Sequence, residues 1–549
     1  MNLRRSAPNS RILAMPELAL GRRDFIKSVG GGIAAILAGS TFPFVTSCSL
    51  TRRRPNVVYI LLDALRADGL RCYGYHRNTS PNIDKLAAEG TLIDELEAGS
   101  SATLRSAPVL LSSEYAPSHD PSFDWHLSCD FTTFPEIYRD AGYDTQGYCT
   151  NPLVYCLDWC TKGFNNFAVP HAYPDEGISF HHSRAYTKAI HEQGLVQNGK
   201  VKEPFFWLFW LYQPHSPYDA PEPYNNMWLE SRKGQHPEEI YRDPLKVEKL
   251  DQITPEDVEH TRALYDSNTA SGDEFVGTIV EMLAGLGIMD RTLIVVSSDH
   301  GEGFYEHQLF SHPGHVYREF TRIPWIMRGP GVPRGKRVKG LVSMVDEGPT
   351  MLELTGHGRT FGCGRSIVPL MRGEASPPHR TKVFSDYFGT AMTTYRDRQK
   401  WRLICYNWEV GGADKVWRKG WKLLQQGKPH ELYNISADPF EQNDLAPERP
   451  ELVEELEGYV RAYFEEAAWK GNPDAPAFDF LLVDQVHRGA MTILQRGDQV
   501  TMSEVGAVNA DFPKNGEDWA DVGKQVGGRF RDPEVMERLR ALGYVGTTQ

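Results

Sequence analysis

Several features are scarce or missing in this sequence of 549 residues, and each absence narrows the class of protein. No run of 18 or more apolar residues occurs, so the sequence predicts no ordinary membrane-spanning helix. Basic residues are outnumbered, with 59 Lys and Arg against 72 Asp and Glu, and the net charge of −13 argues against a nucleic-acid-binding protein. The eight cysteines are too few for a disulfide scaffold, and no internal repeat stands out.

The composition that remains is that of a globular protein, with 40% hydrophobic and 24% charged residues. Its charge is unevenly distributed along the chain. Residues 1–47 carry a net charge of +4, so the rest of the chain carries −17. The acidic part is the one to use in any argument about binding partners, because the basic segment has the features of a removable signal.

The basic segment at the start of the chain has the layout of an export signal. Arg22 and Arg23 are followed by a weakly hydrophobic stretch at 28–39 that is rich in glycine and alanine. A basic region before a hydrophobic region is typical of signal peptides, and the paired arginines resemble a twin-arginine (Tat) signal. We therefore predict an export signal at 1–47 and a periplasmic or cell-surface location.

The signal is followed by Cys48, which ends a segment that resembles a lipobox. Two interpretations stay open. Cys48 is either the acylated first residue of a membrane-anchored lipoprotein or a chance cysteine beside an ordinary cleavage site. A single acyl chain anchors a protein only weakly, so the sequence does not decide between them.

Apolar runs and helical patterns alternate along the chain. Three runs rich in β-branched and aromatic residues predict strands that are buried on both faces, at 56–62, 205–211 and 292–296. Helical patterns separate them, at 82–90, 134–142 and 258–286. This alternation predicts an α/β fold with a mostly parallel sheet flanked by helices.

The composition changes near residue 375, where aromatic, strand-like pieces replace the alternating pattern. An amphipathic helical pattern follows at 450–467, and a short terminal helix is predicted at 533–542. The sequence therefore predicts a signal at 1–47, a catalytic domain at 55–375, and a smaller α+β domain with a loop-rich extension at 376–549.

Polar residues follow each of the three predicted strands. Asp63 comes directly after the first, His215 lies shortly after the second, and Asp299 and His300 follow the third. In open α/β sheets, ligands bind beyond the carboxyl ends of the strands. Each residue alone is as readily explained by a turn or a helix cap. Two aspartates and a histidine at one edge suit a divalent cation, so together they predict a metal site.

These segments resemble a known family. The stretch 56–68 is similar to the opening of a sulfatase of the alkaline phosphatase superfamily, 103–113 resembles its nucleophile segment, and 298–302 resembles its second metal motif. Segment 431–439 also follows in the family order. The resemblance implies an alkaline phosphatase-like fold and a hydrolase of sulfate or phosphate esters.

The resemblance also implies a ligand set for one divalent metal ion: Asp63, Asp299 and His300, completed by Thr103. Many sulfatases have a second acidic residue where this chain has Ala64. Because Ca²⁺ prefers many oxygen ligands, this loss leaves Mn²⁺, Mg²⁺ and Zn²⁺ open beside Ca²⁺. Gln213, in place of a family aspartate, favours a single ion.

Two alignments of the nucleophile segment stay open. One keeps the downstream helix in register and puts Thr103 at the nucleophile position, whereas the other aligns Arg105 and puts Ser101 there. We favour Thr103. Threonine cannot be converted to formylglycine, so the implied chemistry is attack by a metal-bound threonine hydroxyl. The plainer alternative is that Thr103 only caps the helix that begins there.

The remaining candidate site residues also come from the resemblance. It places His215 at the ester or leaving group, His312 or His315 beside it, and Asn151 facing the pocket. Arg105 either binds the ester anion with both nitrogens or pairs with a surface acid.

The predicted function is an exported, metal-dependent, sulfatase-like hydrolase that cleaves sulfate or phosphate esters by attack of Thr103. Two alternatives stay open: a phosphodiesterase or phospho-group transferase that acts on envelope lipids or polymers, and a non-catalytic member that binds sulfated glycans.

Overall fold

The structure is a computed structural model that describes residues 53–119, 131–151, 154, 161–169, 196, 200–229, 236, 241–242, 253–312, 315–375, 378–387, 389–406, 429–466, 491–496 and 499–504. The predicted signal at 1–47, Cys48 and the predicted helix at 533–542 lie outside these residues.

The described strands, numbered in chain order, are β1 Asn56–Asp63, β2 Thr91–Glu97, β3 Asp144–Cys149, β4 Asn166–Val169, β5 Phe205–Pro214, β6 Thr292–Ser297, β7 Gly303–Phe304, β8 Phe310–Ser311, β9 Arg322–Arg328, β10 Lys336–Val338, β11 Val342–Ser343, β12 Thr360–Phe361, β13 Gly364–Arg365, β14 Lys382–Asp386, β15 Thr390–Arg396, β16 Gln399–Cys405, β17 Glu431–Asn434, β18 Met491–Arg496 and β19 Gln499–Glu504.

The described α-helices are α1 Pro81–Glu89, α2 Thr103–Ser112, α3 Ala116–His119, α4 Phe134–Asp140, α5 Pro255–Gly285, α6 Arg318–Thr321, α7 Glu347–Leu354, α8 Val368–Met371 and α9 Pro450–Glu466. Short 3₁₀ helices occur at Ala67–Gly69, Arg71–Tyr73, Met289–Arg291, Met344–Asp346 and Ala446–Glu448. None of the described helices combines the length and the apolarity that crossing a membrane requires.

Eleven of the described strands form one central sheet, in the order β10-β2-β9-β6-β1-β5-β3-β4-β18-β19, with β11 also paired to β2. Strand β1 runs parallel to β5 on one side and to β6 on the other. Strand β9 is antiparallel to β6 and β2, and β18 is antiparallel to β4. The mostly parallel sheet confirms the predicted α/β class.

Both faces of the central sheet are covered. All eight residues of β1 are buried, as expected of a strand with helices on each side. Because successive side chains of a strand point to opposite faces, Tyr59 packs with residues of α2 and α7, whereas Ile60 packs with residues of α5. The 31-residue α5 begins at a capping box formed by Thr254 and Asp257.

A second, antiparallel sheet follows in the order β14-β15-β16-β17, and α9 packs against it in a small core of its own. It agrees with the predicted smaller α+β part. A buried ion pair joins the two sheets, since the Arg402 guanidinium contacts Glu97 of β2 at 2.7 Å. Contacts group the described residues in one compact unit, and the boundary at 375 stays a prediction.

Candidate metal and ester site

The register of the central strands brings the predicted ligands to one edge. Asp63 ends β1 opposite Pro214, which ends β5 just before His215. On the other side, Leu61 lies opposite Ser297, which ends β6 just before Asp299 and His300. The carboxyl ends of these parallel strands therefore carry the polar residues that the sequence selects.

Asp63, Asp299 and His300 form a buried cluster at this edge. Each offers a ligand atom, and these atoms all lie within 4.8 Å of one another. Nε2 of His300 lies 3.7 Å from Oδ1 of Asp63 and 3.5 Å from Oδ2 of Asp299. All three side chains are fully buried. The three predicted ligands thus bring one imidazole nitrogen and two carboxylate oxygens close together.

The two carboxylates each have one satisfied and one unsatisfied oxygen. Oδ2 of Asp63 accepts hydrogen bonds from Asn151 and from the Trp210 indole, and Oδ1 of Asp299 accepts them from the backbone N–H groups of Ala64 and His300. The other oxygens, Oδ1 of Asp63 and Oδ2 of Asp299, have no hydrogen-bond partner among the described residues. Buried carboxylate oxygens without a donor are expected where a cation binds, so the donor set fits a divalent metal ion.

The orientation of His300 agrees with a ligand role. Its Nδ1 lies 2.8 Å from the carbonyl oxygen of Gly301. A carbonyl only accepts hydrogen bonds, so Nδ1 carries the hydrogen and the lone pair of Nε2 faces the two carboxylates. Gly301 itself is required by a close approach, since a Cβ at this position would lie 2.0 Å from the carbonyl oxygen of Glu319.

The charges in this cluster shift two pKa values. Burial, followed by the charge of Asp299, raises the pKa of Asp63 well above its usual value. Burial opposes the charged form of His300, but Asp299 and Asp63 outweigh it and raise the pKa of His300. Both pKa shifts have the same cause: two buried carboxylates repel each other, and a proton or a cation beside them relieves this repulsion.

Thr103 is the first residue of α2, and its hydroxyl reaches the cluster. Oγ1 of Thr103 lies 3.2 Å from Nε2 of His300, the nitrogen that faces both carboxylates. Ala102 before it is extended, so the N-terminus of α2 begins at this hydroxyl. Ser101 is also buried, and its hydroxyl has no hydrogen-bond partner among the described residues.

Two further histidines lie beside the cluster. The His312 ring is 4.4 Å from the His300 ring and 4.9 Å from the His215 ring, measured between centroids. His215 directs Nδ1 at the carbonyl oxygen of Ser216, which leaves Nε2 as its other functional atom. Burial lowers the pKa of both His215 and His312, so both rings are neutral near pH 7.

His315 and His307 lie in a different stack. The His307 ring is stacked on Tyr317 at 3.7 Å, and the His315 ring is parallel to Tyr317 at 5.9 Å. His307 also contacts Glu319 at 2.6 Å, and this carboxylate outweighs burial and raises the pKa of His307 to about 9. Of the two histidines that the resemblance offers for the ester, His312 contacts the His300 ring, and His315 is stacked beside Tyr317.

Arg105 lies on α2, two residues after the candidate nucleophile. Its Nη2 atom is 2.9 Å from Oδ2 of Asp386, and both side chains are 2% exposed. Asp386 ends β14 of the small sheet, so the acid that pairs with Arg105 is buried and not a surface residue. The pair ties the start of α2 to the second sheet.

Sequence reasoning missed several residues at the site. The sequence pattern predicts only a buried strand at Trp210, although its indole N–H lies 3.3 Å from Asp63. Asp386 is 281 residues from the arginine that it pairs with, and no local pattern connects them. Glu302 belongs to the motif at 298–302, but the motif indicates a site role only for its neighbours; the structure places Glu302 3.0 Å from His312.

Comparison with known proteins decides the family. A model of the family described as Sulfatase matches residues 55–357, more than half of the chain. The chain belongs to the sulfatase family. This confirms the resemblance, and with it the prediction of an ester hydrolase of the sulfatase type. The matched residues include Thr103 and the whole cluster of Asp63, Asp299 and His300.

Curated relatives and solved structures agree with the sulfatase assignment. Arylsulfatase K of Danio rerio is 29% identical over 72% of this chain and 68% of its own length, and that of Gallus gallus is 28% identical over 79% and 87%. Arylsulfatase K of Homo sapiens is 28% identical over 46% of this chain, which spans half of that protein.

Two solved structures share the fold of this sulfatase. The phosphonate monoester hydrolase of Agrobacterium radiobacter has a TM-score of 0.57 at 20% identity, covering 75% of this chain and 96% of the other. A protein solved with its substrate D-glucosamine-2-N,6-O-disulfate has a TM-score of 0.55 at 18% identity, covering 75% and 99%. The alkaline phosphatase-like fold implied by the sequence is confirmed.

Proposed function

We propose that this sulfatase is an exported, metal-dependent hydrolase that cleaves sulfate or phosphate esters with Thr103 as its nucleophile. The observation that carries the proposal is the position of the Thr103 hydroxyl, 3.2 Å from Nε2 of His300. That nitrogen also faces the two carboxylate oxygens that lack a donor. The plainer interpretation, a threonine that only caps its helix, is less favourable, since the N-cap residue of α2 is Ala102 and Thr103 is the first residue inside the helix.

The proposed metal ligands are Asp63, Asp299, His300 and Thr103, holding one divalent ion. Ca²⁺, Mn²⁺, Mg²⁺ and Zn²⁺ are the candidates, and metal analysis of the purified protein would distinguish them. A bound cation supplies positive charge that neutralises an anionic ester and lowers the pKa of a hydroxyl beside it. Two carboxylates and one imidazole provide a mixed oxygen and nitrogen set, which is compatible with each of the four.

The residues of the chain then have defined roles. The Thr103 oxygen attacks the sulfur or phosphorus atom, a bond from Thr103 to that atom forms, and the bond to the leaving oxygen breaks. Nε2 of the neutral His215 ring takes up the proton that the Thr103 hydroxyl loses and donates it to the leaving oxygen, and water later hydrolyses the ester on Thr103. The N–H groups at the start of α2 orient the ester oxygens. Because Arg105 is paired with Asp386, its main proposed role is to hold α2 in place. Contact of Arg105 with the ester anion is its second proposed role.

A phosphodiesterase or phospho-group transferase is the second candidate, and the identity of the nucleophile favours it. Threonine cannot form the formylglycine that sulfatases use, whereas a threonine ester of phosphate is chemically accessible. Turnover of an aryl sulfate, an aryl phosphate and a bis-aryl phosphate by the same preparation would separate the two. Cleavage of the phosphate diester alone would reject the sulfatase activity.

The third candidate is a non-catalytic member that binds sulfated glycans, and it leads to a different prediction. Such a protein should turn over no ester, and it should still bind sulfated glycans after Thr103 is replaced. Mass spectrometry of the peptide at 101–105 after incubation with an activated ester adds a direct test. A sulfuryl or phosphoryl group on Thr103 supports the proposed nucleophile, and oxidation of Ser101 would transfer that role to Ser101.

We also propose export through the twin-arginine route, on the basis of Arg22, Arg23 and the weakly hydrophobic stretch after them. Replacing both arginines with lysine should retain the protein in the cytoplasm, as measured by cell fractionation. Replacing Cys48 with Ala separates the two interpretations of the lipobox-like segment. If the acylated form is correct, the variant moves from the membrane fraction to the soluble periplasmic fraction.

A further inference from the structure

Glu302 is a buried carboxylate beside the cluster, and the proposed reaction does not use it. Its side chain is fully buried, which is rare for glutamate unless both oxygens have partners. Both do. Oε1 lies 3.0 Å from Nδ1 of His312, and Oε2 accepts a hydrogen bond from the Tyr218 hydroxyl at 3.0 Å.

The backbone of Glu302 is also fixed on both sides. Its N–H donates to the carbonyl oxygen of Glu319 at 3.0 Å, and its carbonyl oxygen accepts a hydrogen bond from Nη1 of Arg66 at 2.9 Å. With the main chain and one carboxylate oxygen held in this way, the direction of the other oxygen is set by the fold. That oxygen is the one that faces His312.

We propose that Glu302 is a positioning residue that holds the His312 ring in one orientation and one tautomer, with the hydrogen on Nδ1. A carboxylate accepts hydrogen bonds and does not donate them, so the nitrogen next to Glu302 has to carry the hydrogen. Nε2 is then the functional nitrogen of His312. A carboxylate that orients an imidazole in this way is a common device in sites where histidine acts on a substrate or a metal.

This orientation defines what His312 can bind in its neutral form. The oxygens of a sulfate or phosphate ester only accept hydrogen bonds, and a neutral Nε2 without hydrogen cannot donate to them. Nε2 instead suits a donor, which in the proposed reaction is the threonine hydroxyl or the water that hydrolyses the threonine ester. The tautomer of His312 is inferred from the contacts of Glu302 alone. The role of Nε2 in the reaction rests on the proposed function.

Ser311 offers a competing partner, because its hydroxyl lies 3.3 Å from the same nitrogen of His312. The longer distance and the neutral partner make this the weaker of the two contacts. Removal of this weaker contact is a matched control for removal of the contact with Glu302. Ser311→Ala should leave the tautomer of His312 and kcat unchanged, whereas Glu302→Ala should change both.

The first test is a double-mutant cycle measured on the metal-loaded enzyme with an aryl ester. Glu302→Ala should lower kcat about 10- to 100-fold with little change in KM, which is the usual cost of removing such a partner. Glu302→Gln, which keeps an acceptor of the same shape, should recover most of that loss. If Glu302 acts through His312, Glu302→Ala should cost nothing further in a His312→Ala background. Effects that multiply would overturn the proposal.

The second test does not require activity. In protein labelled with ¹⁵N-histidine, the signals that disappear in His312→Gln identify this ring, and their shifts report which nitrogen carries hydrogen. We expect hydrogen on Nδ1 in the native protein and in Ser311→Ala, and a mixture of tautomers in Glu302→Ala. Hydrogen on Nε2 in the native protein would refute the inference. A native protein with the expected tautomer but no turnover of any ester would refute the proposed function and leave this inference in place.

Discussion

Replacing Asp299 with Asn should have opposite effects on stability with and without a bound cation. Oδ1 of Asp299 accepts hydrogen bonds from the N–H groups of Ala64 at 3.2 Å and His300 at 2.9 Å, and an asparagine oxygen can accept both. Oδ2, which lacks a partner among the described residues, would become an NH₂ group. That group can donate a hydrogen bond to Asp63. The substitution therefore removes a charge and keeps the local structure.

The size of the effect follows from the geometry of the cluster. The ligand atoms of Asp63 and Asp299 lie within 4.8 Å of each other. Two unit charges at such a separation repel by roughly 3 kcal/mol at an effective dielectric constant of about 20. Because the pKa of Asp63 is raised, a proton relieves part of this repulsion, and we expect the metal-free variant to be about 1–2 kcal/mol more stable than the metal-free wild type.

Metal binding should reverse this order. A cation that binds only the folded state, at 100 times its Kd, adds about 2.7 kcal/mol to the stability of the wild type. The variant has lost one of two carboxylate ligands and should gain much less. Urea unfolding of chelator-stripped and metal-loaded samples measures both differences, and Asp290→Asn, at a side chain that is 91% exposed, is the matched control. An equal metal-induced gain in the wild type and Asp299→Asn would refute the assignment of this cluster as the metal site.

Three further predictions test other parts of the site. Thr103→Val should reduce kcat by at least about 1,000-fold while Thr103→Ser retains turnover, because only the hydroxyl is needed; steady-state kinetics on an aryl ester measures this. Arg105→Ala should lower the free energy of unfolding by about 3–5 kcal/mol, since it removes the cation that pairs with the buried Asp386 carboxylate, and Asp386→Ala in the same chain should restore part of the loss. Burial raises the pKa of Glu347 to about 8, so its contribution to stability is complete below about pH 4.5 and is lost as the pH rises through about 8. Glu347→Gln should flatten that part of the stability profile measured by urea unfolding.

The edge of the sheet where the candidate metal ligands meet is predictable because parallel strands end together. Asp63, Asp299 and His300 each follow a local apolar run, so a pattern of a few residues locates them without knowledge of the rest of the fold. The partner of His312 is not predictable in this way. It depends on the path of the chain through β7 and β8, two-residue strands that are too short for a periodic signal. The Arg105 pair depends on a second sheet and on packing across 281 residues.

The way in which the site holds an anion follows from the same contacts. Residues 48–549 carry a net charge of −17, so this part of the chain does not attract sulfate or phosphate esters from a distance. Arg105 is partly neutralised by Asp386, and burial keeps His215 and His312 neutral near pH 7. On the proposed function, the positive charge that faces the ester would therefore come mainly from a cation at Asp63 and Asp299, together with the N–H groups at the start of α2. On this reasoning, removal of the cation should weaken binding of the ester as well as its cleavage, which equilibrium binding of inorganic sulfate or phosphate with and without chelator would measure. If binding of sulfate or phosphate is unchanged after chelation, this reasoning is wrong and Arg105 would be assigned as the ligand of the anion.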